Sequence, residues 1–84
     1  MNMLLARQLR AARALIGWEQ KHLAEAAEVA IGTIRRMESS DGAVRGNAGN
    51  VWKVQQALEN AGIEFIDGNG SGPGVRLRRP TGAN

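Results

Sequence analysis

The chain has 84 residues, no cysteine, one histidine and a formal net charge of +3 at neutral pH. This length supplies one small domain and excludes a doubly wound dinucleotide-binding fold or a barrel enzyme. Without cysteine there is no disulfide or thiolate metal site, and the lone His22 offers no set for metal ligation or acid–base catalysis. We therefore expect no enzyme activity, no metal and no cofactor. No apolar run approaches the ~20 residues of a membrane span, so we expect a cytoplasmic protein with no membrane partner.

Apolar residues recur at helical spacing through the first three quarters of the chain. Leu5, Leu9, Ala12 and Ile16 are spaced by four, three and four residues, and Gly17 follows where a helix would end. Similar patterns predict four helices in chain order, at residues 3–16, 20–27, 30–38 and, after the N-cap residue Asn47, 48–61.

The last quarter of the chain has a different composition. Residues 63–67 are typical of a short strand, and residues 75–78 alternate apolar and basic side chains at the period of a strand. The glycine-rich segment 68–74 between them predicts a long-looped β-hairpin. Because a lone two-stranded hairpin is marginal in water, it must pack on the helices or pair with another chain. The expected organisation is a helical domain at 1–62, a strand tail that serves as the dimerisation element at 63–79, and a loose terminus at 80–84.

The segment 20–38 carries the most specific pattern in the chain. Its small and apolar positions are those of a helix-turn-helix, whose second helix lies in a DNA major groove. With the preceding LRAARALIGW, it resembles the lambda-repressor-like helix-turn-helix regulators, the XRE class of bacterial and phage regulators, over residues 4–61. The motif positions that carry the resemblance are Gln20, Leu23, Ala24, Val29, Thr33, Ile34, Arg36 and Glu38. The resemblance implies a mainly α, four-helix DNA-binding fold, here followed by the predicted hairpin.

Two positions in the same segment depart from the family pattern. Glu28 stands where glycine is usual, so it must either adopt a left-handed conformation or shift the turn. Ala30 stands where serine or threonine is usual before the third helix, which removes a helix cap and a phosphate contact.

The resemblance also implies which residues meet DNA. Arg36 is the candidate base reader, because an arginine can grip O6 and N7 of guanine with two hydrogen bonds. Thr33 could touch a thymine methyl or a phosphate, and Arg13 is expected to pair with Glu38. The full set of implied DNA-binding residues is Gln20, Ile31, Gly32, Thr33, Arg35, Arg36, Arg45 and Asn47, of which Gln20, Arg45 and Asn47 are expected at phosphates.

The high share of arginine among the basic residues is a stronger indication of a nucleic-acid partner than the net charge is. Nine of the eleven basic residues are arginine, whose planar fork suits phosphates and base edges. The sequence therefore predicts a sequence-specific regulator that binds double-stranded DNA, a repressor or autoregulator. One such module buries too little surface for selective operator binding, so we expect a homodimer on two half-sites.

Other interpretations compete with this one. Arg35 and Arg36 could belong to a plain solvated helix face, and Arg7 and Arg10 are expected to be ordinary surface charges. The alternative function is an antitoxin-like interaction module, whose C-terminal tail binds a second, toxin-like protein. RNA binding comes third, because the chain lacks the aromatic platform common in single-strand readers.

Overall fold

The computed structural model describes residues 4–68 and 72–78. These residues form the helices α1 (Ala6–Ile16), α2 (Gln20–Ala27), α3 (Ile31–Glu38) and α4 (Ala48–Asn60), then the strands β1 (Ile63–Ile66) and β2 (Gly74–Leu77). The expected class, mainly helical with a C-terminal strand pair, is confirmed. Residue 3, the expected start of the first helix, and the expected loose terminus at 80–84 lie outside the described residues. No helix in the described part is long and apolar enough to cross a bilayer.

The chain enters α1 through an extended segment, so the expectation that the first helix already includes Leu4 and Leu5 is wrong. Leu5 is extended, with φ −96° and ψ 147°. It pairs with Ala43 in an isolated antiparallel bridge, and the Val44 N–H donates to Leu4 O at 2.8 Å. This pairing ties the loop between α3 and α4 to the beginning of α1.

The turn between α2 and α3 contains a left-handed residue that is not glycine. Glu28 has φ 59° and ψ 46°, so the left-handed conformation is the alternative that the chain adopts. The N–H groups of Glu28 and Val29 donate to the carbonyls of Glu25 (3.2 Å) and Ala24 (3.0 Å), which closes α2. Ala30 precedes α3 in an extended conformation, without a side-chain cap. The two helices are therefore joined by residues 28–30 alone.

One hydrophobic core joins the four helices and β1. Its large, fully buried side chains come from each of these elements and are Leu9, Leu23, Ile34, Met37, Val54, Leu58 and Ile63. Burying a side chain of this size contributes roughly 1.5–3 kcal/mol. Because Ile63 belongs to this cluster, the strand pair shares the core of the helices.

Gln8 connects the strand pair to α1 through a buried side chain. The Gln8 amide oxygen accepts the Leu5 N–H at 2.8 Å, as expected of a glutamine at the third position of a helix. Its Nε2 donates to Gly74 O at 2.9 Å and to Ile66 O at 3.2 Å. The same side chain thus caps the helix and holds the loop end of the strand pair, where β2 lies against α1.

Gly46, in the loop before α4, packs against α3 in a conformation that favours glycine. Its φ is +136°, and a Cβ at this position would lie 3.3 Å from Met37 Cε. We expect Gly46→Ala to lower the free energy of unfolding by about 1–3 kcal/mol, through backbone strain and crowding. Chemical denaturation measures this loss. Gly42→Ala is the matched control, because nothing lies within 4 Å of its Cβ position; equal stability of the two variants would contradict the packing described.

Candidate nucleic-acid interface

Helix α3 has a buried side and an exposed side with different chemistry. The buried residues are Ile34, Met37 and Glu38. A repeat of 3.6 residues per turn places on the opposite side Gly32, Arg35 and Arg36. Both arginines are exposed, and in the described part of the chain neither forms an ion pair. The exposed side of α3 is therefore positively charged and carries no competing carboxylate.

The Arg36 side chain lies along the first turn of α3. Its Nη2 donates a long hydrogen bond of 3.4 Å to Thr33 Oγ1. A Cβ on Gly32 would be 3.7 Å from Arg36 Nη1, which is an ordinary contact distance. Gly32 thus leaves the helix backbone open beside a guanidinium group that, among the described residues, makes one long side-chain hydrogen bond. This side chain can turn outward at little cost.

Ile31 and Thr33 border this exposed side and are each half-buried. Ile31, the first residue of α3, packs against the edge of the core. Among the predicted DNA-binding residues on α3, Arg35 and Arg36 are therefore more exposed than Ile31 and Thr33.

A buried ion pair fixes the C-terminal end of α3. Glu38 is 4% exposed, and Arg13 of α1 donates to both of its carboxylate oxygens, through Nε at 2.6 Å and Nη2 at 2.7 Å. The Glu38 carboxylate raises the pKa of Arg13, chiefly by accepting its hydrogen bond and further by its charge, while burial acts in the lowering direction. The Arg13–Glu38 pairing predicted from the family resemblance is present.

The same carboxylate also orders the start of α2. Gln20 Nε2 donates to Glu38 Oε1 at 3.0 Å, and Arg13 Nη1 donates to Trp18 O at 2.9 Å. Gln20 is half-buried at the first position of α2. One of its amide hydrogens is thus used within the protein, and its predicted phosphate contact stays a prediction.

Arg10 lies beside this cluster, and the expectation that it is an ordinary surface charge is wrong. Its Nη1 donates to the backbone oxygens of Glu38 and Ser40, the latter at 3.2 Å, and its Nη2 is 3.9 Å from Asp41 Oδ1. The Glu38 carbonyl belongs to the negative end of the α3 dipole, where a cation is favourable. Two arginines of α1 therefore hold the last turn of α3.

The predicted phosphate-binding residues Arg45 and Asn47 flank the glycine that packs on α3. Both are exposed. Asn47 Oδ1 accepts the Asn50 N–H at 2.8 Å, so the predicted N-cap of α4 is confirmed. Because Gly46 between them lies against Met37, the loop brings these two residues next to α3.

An aromatic pair stands at the start of α2. Trp18 and His22 stack with ring centroids 4.4 Å apart and an interplanar angle of 12°. Trp18 is half-buried against the core and His22 is exposed, as expected for a helix-surface histidine. Within residues 4–68 and 72–78, no three acidic or histidine side chains are grouped to hold a metal ion.

Sequence reasoning missed two residues that position the site. Gln8 and Arg10 stand on α1 among other polar residues, and their partners are backbone carbonyls far along the chain. Only Gln8 carried a signal, because a glutamine three residues after the N-cap residue of a helix is typical of a capping arrangement. A backbone carbonyl has no signature in a sequence, so the role of Arg10 is visible only in the folded structure.

The chain matches no model of a known protein family, and no curated protein matches it in sequence.

The Arg13–Glu38 pair should be strongly coupled in stability. We expect Arg13→Met to cost about 3–5 kcal/mol, because it leaves the Glu38 carboxylate buried without its partner. Arg13→Met combined with Glu38→Leu should cost less than Arg13→Met alone, since the isolated charge is then removed. Chemical denaturation of the two single variants and the double variant measures the coupling. Strict additivity would contradict the described pair.

Proposed function

We propose that this protein is a sequence-specific transcription regulator that binds double-stranded DNA, a lambda-repressor-like helix-turn-helix protein of the bacterial cytoplasm. It acts as a homodimer that reads the major groove with α3 and represses its target promoter or its own. The observation that carries the proposal is the two-sided character of α3. Its inner side is fixed by the core and two arginines, and its outer side presents Arg35 and Arg36 beside an open backbone at Gly32.

The dimensions of α3 suit a major groove. Helix α3 has eight residues, and an α-helix with its side chains is about 10–12 Å in diameter. The major groove of B-DNA is about 12 Å wide and admits one α-helix. In this arrangement Arg36 turns away from Thr33 and donates to O6 and N7 of a guanine. Arg35 contacts the second base or the nearest phosphate.

Contacts to the DNA backbone set the orientation of α3 in the groove. Arg45 and Asn47 are exposed next to α3 and reach a phosphate on one side. Gln20 reaches a phosphate on the other, through the amide hydrogen that Glu38 does not use and with the α2 N-terminus behind it. Because these contacts release counterions, binding weakens as salt is raised.

Two copies are required for a selective site. A single module of this size buries too little DNA surface for tight, selective binding. A two-fold dimer presents two copies of α3 to successive major grooves, about 34 Å apart, and therefore recognises a palindromic pair of half-sites. Binding across a promoter by such a dimer excludes the polymerase, which is the physical basis of repression.

Arg36→Ala should weaken operator binding selectively. The operator is first selected from a random pool of duplex oligonucleotides with the parent protein. Arg36→Ala should bind this operator with about 1–3 kcal/mol less binding free energy than the parent protein, and its sequence preference at one base pair should weaken. Fluorescence anisotropy at fixed salt measures both effects. Lys53→Ala, which removes one exposed charge from α4, is the control, and equal affinity of the two variants would contradict the role of α3.

Gly32→Ala should separate folding from binding. Alanine at this helical position has room, with Arg36 Nη1 at 3.7 Å from its Cβ, and should raise the free energy of unfolding by roughly 0.5–1 kcal/mol. The added methyl group keeps the α3 backbone away from the base edges, so DNA affinity should fall at the same time. Thermal unfolding and anisotropy on the same preparation measure the two changes. A variant that is both more stable and equally tight would show that DNA does not approach Gly32.

A further inference from the structure

The strand pair has an edge that the helices leave open. The bond from the Arg78 N–H to Gly62 O, at 2.7 Å, sets the alternation of the ladder. It makes Glu64–Arg76 a hydrogen-bonded pair, so the backbone groups of Val75 and Leu77 point to the opposite edge of β2. In the described part of the chain, no backbone hydrogen bond joins β2 to any element other than β1. Among residues 4–68 and 72–78, the backbone donors and acceptors of Val75 and Leu77 on the outer edge of β2 therefore have no partner.

The inner layer of the strand pair is also incomplete at this edge. The side chains that face the helices are the two non-hydrogen-bonded pairs, Ile63 with Leu77 and Phe65 with Val75. Ile63 is fully buried, and Phe65 and Val75 pack on the core, but Leu77 is 49% exposed. A leucine on the core side of a sheet is thus left half in water at the open edge.

A groove runs beside the same edge, between β2 and α1. Its α1 side includes the small, exposed Ala11, which leaves room for a further strand over the helix. The groove is lined by Leu5, Arg7, Gln8, Ala11, Pro73, Gly74 and Val75. Free backbone groups on one wall and a mainly apolar floor are the features of a site that binds an added strand.

We propose that the outer edge of β2 pairs antiparallel with the same edge of a second copy of this chain, about a two-fold axis at Val75. The product is one four-stranded sheet in the order β1–β2–β2–β1, lying over both copies of α1. The inference deepens the proposed function, because it rests on the homodimer required there and names the surface that forms it. A shared sheet also removes the exposed edge, which would otherwise template unspecific aggregation.

Charge selects the register of this pairing. An axis at Arg76 would place two guanidinium groups directly opposite each other, which is unfavourable. An axis at Val75 places Arg76 opposite Gly74 of the second copy, and leaves the Arg76 Nε to Glu64 Oε1 bond of 2.7 Å intact. It also places the half-exposed Leu77 opposite Pro73 of the second copy, so that the two apolar side chains cover each other. Proline has no N–H to donate, but its carbonyl still accepts the Leu77 N–H.

Single-cysteine cross-linking tests the register, because the chain has no cysteine of its own. At the two-fold axis the two Val75 Cα atoms lie about 5.5 Å apart, as in any hydrogen-bonded antiparallel pair. This is within the roughly 4.4–6.8 Å that a disulfide spans. Oxidised Val75→Cys should therefore run as a covalent dimer on a non-reducing gel.

Two further cysteine variants make the cross-linking result specific. Arg76→Cys places its cysteines diagonally, about 7–8 Å apart, and should cross-link several-fold more slowly. Trp52→Cys, on the exposed outer side of α4, reports random collision and should stay monomeric on the gel. Faster cross-linking of Arg76→Cys than of Val75→Cys would overturn the register, and equal rates for all three variants would overturn the interface.

Leu77→Glu tests the interface without a cross-link. Since Leu77 is half exposed in the single chain, the glutamate can remain hydrated there and the fold should survive, which the helical circular-dichroism signal and the melting temperature report. The dimer Kd of the Leu77→Glu variant, measured by sedimentation velocity, should rise tenfold or more, because a charge then enters the apolar contact with Pro73 of the second copy. Trp52→Glu is the matched control, with an exposed apolar residue changed to the same charge, and should leave the dimer unchanged. A parent protein that is monomeric at micromolar concentration, or a dimer insensitive to Leu77→Glu, overturns the proposal.

The two proposals fail in different measurements. Sedimentation and cross-linking are measured without DNA. If the protein dimerises through β2 but selects no oligonucleotide from the random pool, the proposed interface is supported and DNA binding is contradicted. If the protein binds a selected operator but Leu77→Glu does not change the dimer dissociation constant, DNA binding is supported and the proposed interface is contradicted. A stoichiometric partner protein that holds β2 of a monomeric parent would also overturn pairing between copies.

Discussion

The bidentate pair between Arg13 and Glu38 is the interaction on which the arrangement of the helices depends. Its carboxylate is almost completely buried and receives donors from α1 and from the start of α2. Because an uncompensated buried charge is very costly, the three elements can meet only in the geometry that satisfies Glu38. The pair therefore specifies how α3 is oriented relative to α1 and α2. Hydrophobic burial alone, which has no direction, would allow other orientations.

Arginine serves two different purposes within a short stretch of this structure. Arg10 and Arg13 are partly buried and bound to acceptors of the protein itself, whereas Arg35 and Arg36 are exposed and lack ion-pair partners in the described residues. The residue type is the same, and the environment decides which guanidinium groups remain available to a ligand. A net charge counts all of them equally and is therefore a poor guide to where a polyanion would bind.

Helix α3 carries local costs on the side proposed to meet DNA. It begins after Ala30, which supplies no side-chain cap, contains Gly32 in its first turn, and follows a non-glycine residue held at positive φ. Each of these features destabilises a short helix, and the tertiary contacts of its inner side offset them. Such departures from local preference are expected where function constrains a sequence. A short helix with an open backbone on one side can approach a ligand more closely than a helix covered by side chains.

The periodicity of apolar residues and the capping residues were enough to place most of the helices from the sequence alone. The 3.6-residue spacing of apolar residues within each segment located the four helices, and Asn47 marked the start of the last one, because both signals act over a few neighbouring residues. The candidate surface on α3 followed from the family resemblance, and the structure shows that Arg35 and Arg36 on this surface are exposed. Only the tertiary structure decided that Leu5 is extended, that Arg10 holds α3 rather than facing water, and that Leu77 lies half exposed at an open edge. These outcomes depend on backbone carbonyls and on surfaces brought together from distant parts of the chain, and no local pattern of side chains records which of them will meet.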